Sequence, residues 1–170
     1  PGRTEGGAAR YGTISGTSAA AALVAGAAAL LADARPDLDA AGLRGALVAG
    51  ARRRAGRAGA ALGTVDPQAS SSVELVAELP TIAIEPLGQG RATGAGTVTF
   101  RNVSRRPLAF RLQPATAQPG VSVELSRDAL SLAPGATKTV GVTVVAGTLP
   151  DPPSAIAGSI WAVVRRGGTL

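Results

Sequence analysis

The 170-residue chain contains no histidine, no cysteine and no methionine. Each zero removes a class of chemistry. Without cysteine there is no disulfide framework, no thiol nucleophile and no zinc–thiolate centre. Without histidine the commonest general base and the commonest metal ligand are both missing. Any imidazole-dependent reaction must then be completed by residues outside this chain. The lack of methionine, with a start at Pro1-Gly2, reads as a processed or excised piece. Aromatic residues make up 2% of the chain, which leaves almost nothing to stack on nucleobases.

What is present is apolar and weakly charged. Hydrophobic residues are 45% and charged residues 16%, the balance of a globular chain and not of a disordered one. The length suits one domain or two small ones and is enough to bury a core. The net charge is +6 and the pI about 11.4, and basic chains of this kind can meet nucleic acid or acidic surfaces. The excess is spread out, however, with 8 basic against 6 acidic groups in residues 1–77 and 9 against 5 in residues 78–170. Lys138 is the only lysine. With no aromatic partners for the arginines, nucleic acid is not an expected partner. The longest uncharged apolar run, residues 19–32, is short for a bilayer span and rich in alanine, so it reads as a buried helix and not as a membrane segment. No basic segment precedes an apolar run at the start, so no signal peptide is expected.

The character of the chain changes near residue 67. Residues 1–16 are glycine-rich and read as a loop. A helix is expected from Thr17 or Ser18, either of which can cap it, to about Asp33. It is apolar on nearly all sides, the pattern of a helix threaded through a core. Pro36 stops it, and Asp39 is positioned to cap a second helix with Leu43, Leu47 and Val48 on one face. Arg52, Arg53 and Arg54 follow its end, where cations suit the helix dipole, and the arginine-rich stretch after them reads as a solvated loop. Strands are expected over 72–78, 81–87, 95–102, 107–112, 120–125, 138–146 and 155–164. Turn signals separate them at 88–90, 119–120, 134–135 and 149–153. Seven short strands in about a hundred residues suggest an immunoglobulin-like β-sandwich, with Phe100 and Trp161 in its core.

One stretch can carry chemistry. Gly16-Thr17-Ser18 opens the first helix behind a glycine-rich loop. A serine there is well placed for attack: its own backbone N–H is one of the unpaired donors of the helix start, and the dipole favours developing negative charge. The plain alternative is that Ser18 only caps the helix. Weaker features have plainer readings. The glycines at 88–94 lack phosphate-loop spacing and precede a strand, so they read as a hairpin turn. Asn102-Val103-Ser104 fits the glycosylation pattern, and Asp33, Asp37 and Asp39 are near one another, but without calcium-loop spacing capping and solvation account for them.

The stretch from Gly16 to Gly26 resembles the nucleophile motif of subtilisin-like serine proteases (subtilases), G-T-S-M-A-x-P-x-V-A-G. Gly16, Thr17, Ser18, Ala20, Val24, Ala25 and Gly26 match, while Ala19 replaces the usual Met and Ala22 the usual Pro. The flanks follow the same order: Pro1-Gly2 and Tyr11-Gly12 upstream, then Arg35-Pro36, Ala46-Leu47 and Gly63-Thr64-Val65-Asp66 downstream. The resemblance implies Ser18 as nucleophile, its N–H as half of the oxyanion hole, and an Asp, a His and an oxyanion Asn upstream of Pro1. It implies an exported bacterial serine endopeptidase acting on polypeptides. Residues 1–70 would be the C-terminal end of its α/β protease domain. Residues 71–170 would be an appended sandwich similar to fibronectin type III-like or immunoglobulin-like domains, a likeness carried by 100–104, 120–123 and 132–136 leading into 140–145. No cofactor is expected, and any structural calcium would belong to the upstream part. The chain alone is expected to be inactive. The competing reading is a non-catalytic relative, or a surface adhesion or scaffold module, which Ala19 and Ala22 favour.

Overall fold

The computed structural model describes residues 15–52, 63–79, 92–116, 120–147 and 158–164. Among these described residues three helices and then seven strands occur, the helices being α1 at Thr17–Ala34, α2 at Ala40–Ala49 and α3 at Pro67–Ser71. The strands are β1 at Leu75–Ala77, β2 at Ala92–Asn102, β3 at Leu108–Thr116, β4 at Val121–Leu125, β5 at Ala129–Leu132, β6 at Thr137–Ala146 and β7 at Gly158–Val164. The expected strand at 81–87, the arginine-rich loop at 53–62, the turns at 88–90 and 149–153 and the motif pairs Pro1-Gly2 and Tyr11-Gly12 lie outside the described residues.

The strands form two antiparallel sheets, β1-β2-β6-β4 and β5-β3-β7. They face each other across one core. Leu75, Val98, Phe100, Val140 and Val142 come from the first sheet, and Leu108, Phe110, Leu112, Leu130 and Leu132 from the second. Alternation in β3 shows why: Leu108, Phe110 and Leu112 point inward while Arg111 and Gln113 point out. Phe100 and Phe110 meet across the sandwich with centroids 5.6 Å apart and rings tilted by 58°, a favourable edge-on geometry. The described residues are therefore β-rich, with their helices ahead of the strands in sequence.

Several expectations are corrected. The strand expected at 72–78 begins only at Leu75, because a short helix, capped by Asp66 and opened by Pro67, ends at Ser71 and the N–H groups of Ser72 and Val73 still turn back to the Ala69 and Ser70 carbonyls. Strand β5 falls where none was expected; its four residues are too few for a pattern to stand out. Trp161 is not in the core. It pairs across the ladder with outward-facing Gln113, so it shares that outer face and is 42% exposed. β7 has apolar residues on both faces, and register, which the sequence does not display, chose Ile160 and Val164 for the inside.

Helix α1 also departs from expectation. Its N-cap is Gly16 at φ 126°, a conformation glycine adopts without penalty, and no side chain caps the helix. Only Ala27 and Leu31 are buried, through packing on α2 and α3, while Leu23 and Leu30 are 71% and 65% exposed. The described residues supply no cover for its first half. Helix α2 behaves as expected at its start, with the Asp39 carboxylate accepting from the Gly42 N–H at 2.8 Å. Its most buried positions, however, are Gly42, Gly45 and Ala46, with Leu43 and Leu47 only half-buried at the seam. Small residues win the interface because α2 lies directly on β1: a Cβ on Gly45 would stand 2.6 Å from the Ala77 carbonyl oxygen.

Candidate functional site

The candidate site is the first turn of α1. The Ala20 N–H donates to the Gly16 carbonyl at 3.1 Å, so the N–H groups of Thr17, Ser18 and Ala19 have no acceptor within the helix. Their partial positive charge, added to that of the helix dipole, makes the turn electropositive, and no acidic side chain occupies it. Ser18 is exposed. Among the described residues its hydroxyl makes no cap hydrogen bond to the helix start. Such a turn can present a hydroxyl and an N–H donor to one incoming carbonyl.

The motif residues lie along α1 from its N-cap onward. Gly16 supplies the positive φ that turns the chain into the helix, Thr17 and Ser18 are its first two residues, and Ala20 lies within the first turn. Gly26 is two turns further on, about 12 Å along the axis, and has open space at its missing side chain. The chain has no histidine to act as a base for Ser18. Downstream, Gly63 is at φ 112°, Thr64 bridges to Arg52 through two 2.8 Å backbone bonds, and the Asp66 carboxylate caps α3.

Among the described residues no three carboxylates come together as a metal ion would need. Asp37 pairs with Arg35 through two 2.9 Å hydrogen bonds. Asp39 takes a two-pronged pair from Arg101 at 2.7 and 3.1 Å besides capping α2. The Arg35 guanidinium holds the Asp37 carboxyl below its ordinary pKa. For Asp39 the Arg101 hydrogen bonds act most, with the Gly42 N–H second. The Ala69 N–H and then Arg52 lower Asp66. The glycosylation pattern is closed as well. Asn102 is fully buried, its amide donates to the Arg106 and Leu132 carbonyls, and its oxygen accepts from the Ser104 N–H and hydroxyl.

The reading from sequence missed Arg35 and Arg101. The only local signal was Arg35 beside Pro36 at a helix end, where an arginine is usually solvated.

Residues 2–75 match the family model of the Subtilase family. That makes this part of the chain subtilase-like, in agreement with the ordered motifs around Ser18. No curated protein matches the chain. Among solved structures it is similar to the FixG-related protein from Vibrio parahaemolyticus, at 9% identity and a TM-score of 0.30, over 45% of this chain and 81% of that one. At that score the likeness says nothing about fold or function.

Proposed function

We propose that the chain is the C-terminal end of a subtilisin-like serine endopeptidase with an appended β-sandwich of fibronectin type III-like or immunoglobulin-like type. The boundary falls near residue 70. The observation that carries this reading is the subtilase match over residues 2–75 with Ser18 exposed, uncommitted as a cap, on the electropositive first turn of α1. In this reading the Ser18 Oγ attacks the scissile carbonyl and gives its proton to a histidine upstream of Pro1, which an upstream Asp orients. The Ser18 N–H and an upstream Asn bind the oxyanion. The imidazolium then returns the proton to the leaving amine, and water releases the acyl group by the same route. The exposed apolar side of α1, with Leu23 and Leu30, is covered in the parent by the rest of the protease domain.

The substrate is a polypeptide, the setting extracellular or cell-surface, and no nucleic acid or cofactor takes part. Although α1 is long and apolar enough to cross a membrane by length and composition, we assign it no span. Its alanine-rich 18 residues reach about 27 Å, less than a typical hydrocarbon core, and its C-terminal half packs on α2 and α3. The second reading, a non-catalytic relative or scaffold module, is favoured by Ala19 and Ala22, where the motif departs from the subtilase pattern.

The test is fluorophosphonate labelling of the full-length parent protein and of its Ser18→Ala variant. Label at Ser18 that vanishes in the variant supports the enzyme. A folded parent that takes no label at Ser18 supports the non-catalytic reading, as does a parent sequence without an Asp, a His and an Asn ahead of Pro1.

A further inference from the structure

We propose that the helices and the β-sandwich fold as one cooperative unit, joined through β1 and clamped by Arg35, so that the sandwich braces α1 instead of swinging on a tether. The proposal does not depend on Ser18 being a nucleophile.

Strand alternation makes β1 a wall shared by two cores. Leu75 enters the sandwich core, with Ala77 packed against it, while Val76, fully buried, enters a second core with Leu31, Leu38 and Ala46 of the helical part. Three consecutive residues thus divide between the two cores. The subtilase match itself ends at Leu75, the first residue of this strand. Around the wall the polar contacts are directed across the same seam. The Arg35 guanidinium, just past the end of α1, donates to the carbonyls of Ser71 at 3.2 Å, Val73 at 3.3 Å and Val103 at 3.0 Å. One planar group therefore ties α1 to the α3–β1 connection and to the β2–β3 turn. Arg101 of β2 reaches back to Asp39 at the start of α2, and Arg44 of α2 donates to the Glu78 carbonyl beyond β1. Arginine suits these places because its donors are fixed in a fork that lysine lacks. Across α1, Ser18 then sits about 26 Å from the clamp at a fixed distance from the sandwich.

The test is urea unfolding of the full chain with two reporters: emission of Trp161, the only tryptophan, for the sandwich, and circular dichroism at 222 nm for the helices. The expected result is one midpoint for both. Arg35→Ala should lower both midpoints together, and Phe110→Ala, in the sandwich core, should lower the helical midpoint as much as the tryptophan midpoint. Arg127→Ala, exposed in the β4–β5 turn, should move neither. Separate midpoints in the wild type, or an Arg35→Ala shift confined to the helical signal, would overturn the proposal. Should a variant not fold, native-state hydrogen exchange of the wild type decides: equal protection of α2 and β6 amides supports one unit, and weaker protection of α2 refutes it.

Discussion

Alanine at Gly45 should destabilise this protein, although alanine for glycine inside a helix ordinarily does the opposite. In an open helix the exchange gains about 0.5–1 kcal/mol, because glycine loses more backbone freedom on folding. Gly45 is in the middle of α2, but its missing side chain faces β1. A Cβ there would lie 2.6 Å from the Ala77 carbonyl oxygen and 2.9 Å from the Val76 Cβ. Neither neighbour can swing away, since one is strand backbone and the other belongs to a fully buried residue. Overpacking of this kind costs about 1–3 kcal/mol, and rigid neighbours put it at the upper end. Subtracting the helix gain leaves a net loss of about 1–2 kcal/mol. The control is Gly26→Ala in α1, where nothing lies within 4 Å and the full gain of about 0.5–1 kcal/mol should appear. Thermal melts at 222 nm read the difference. For a chain of this size the first variant should melt about 2–8 °C lower and the second about 1–4 °C higher. A Gly45→Ala protein as stable as the wild type would mean that α2 does not press on β1 as described.

Further predictions concern polar groups. Asn102→Ala should cost about 1–3 kcal/mol in urea unfolding, because the buried Leu132 carbonyl loses its donor and the turn at 102–106 its organising oxygen; a loss under about 0.5 kcal/mol, the size of an ordinary surface effect, would contradict that role. Ser18→Ala should leave the melting temperature of this chain unchanged, since the exposed hydroxyl caps nothing; a clear drop would restore the structural account of Ser18. The carboxyls of Asp37, Asp39 and Asp66 are held below their ordinary pKa in the fold. The stability they contribute is present above the unfolded value of about 4 and is lost as the pH falls through the folded values. Asp39→Asn keeps a good cap and removes the charge pair with Arg101, so its acid melting profile should be flatter than the wild type's below about pH 4; superimposable profiles would show that the pair adds nothing.

The features written locally were legible without a structure. The Asp39 cap, the breaks at Pro36 and at Pro134-Gly135, the alternation that buries Phe100 and the ordered motif around Ser18 each depend on a few neighbouring residues. Features that needed a distant partner were not. Strand β5 is too short to announce itself and exists because β3 pairs with it. The Gly16 cap depends on a backbone angle that Thr17 and Ser18, as eligible caps, obscured.

By itself, then, the sequence determined the types of α1, α2 and the longer strands, the helix-to-strand order and the subtilase-like character of residues 2–75, because period, capping and turn chemistry act over a few residues. Tertiary structure alone decided which apolar side chains are inside. Register turned Trp161 outward, and small residues at Gly42, Gly45 and Ala46, not Leu43 and Leu47, became the closest contact of α2. It also made β1 common to two cores and drew Arg35 to three carbonyls up to 68 residues away. Those outcomes depend on which surfaces meet when the chain closes on itself, and no local pattern records that.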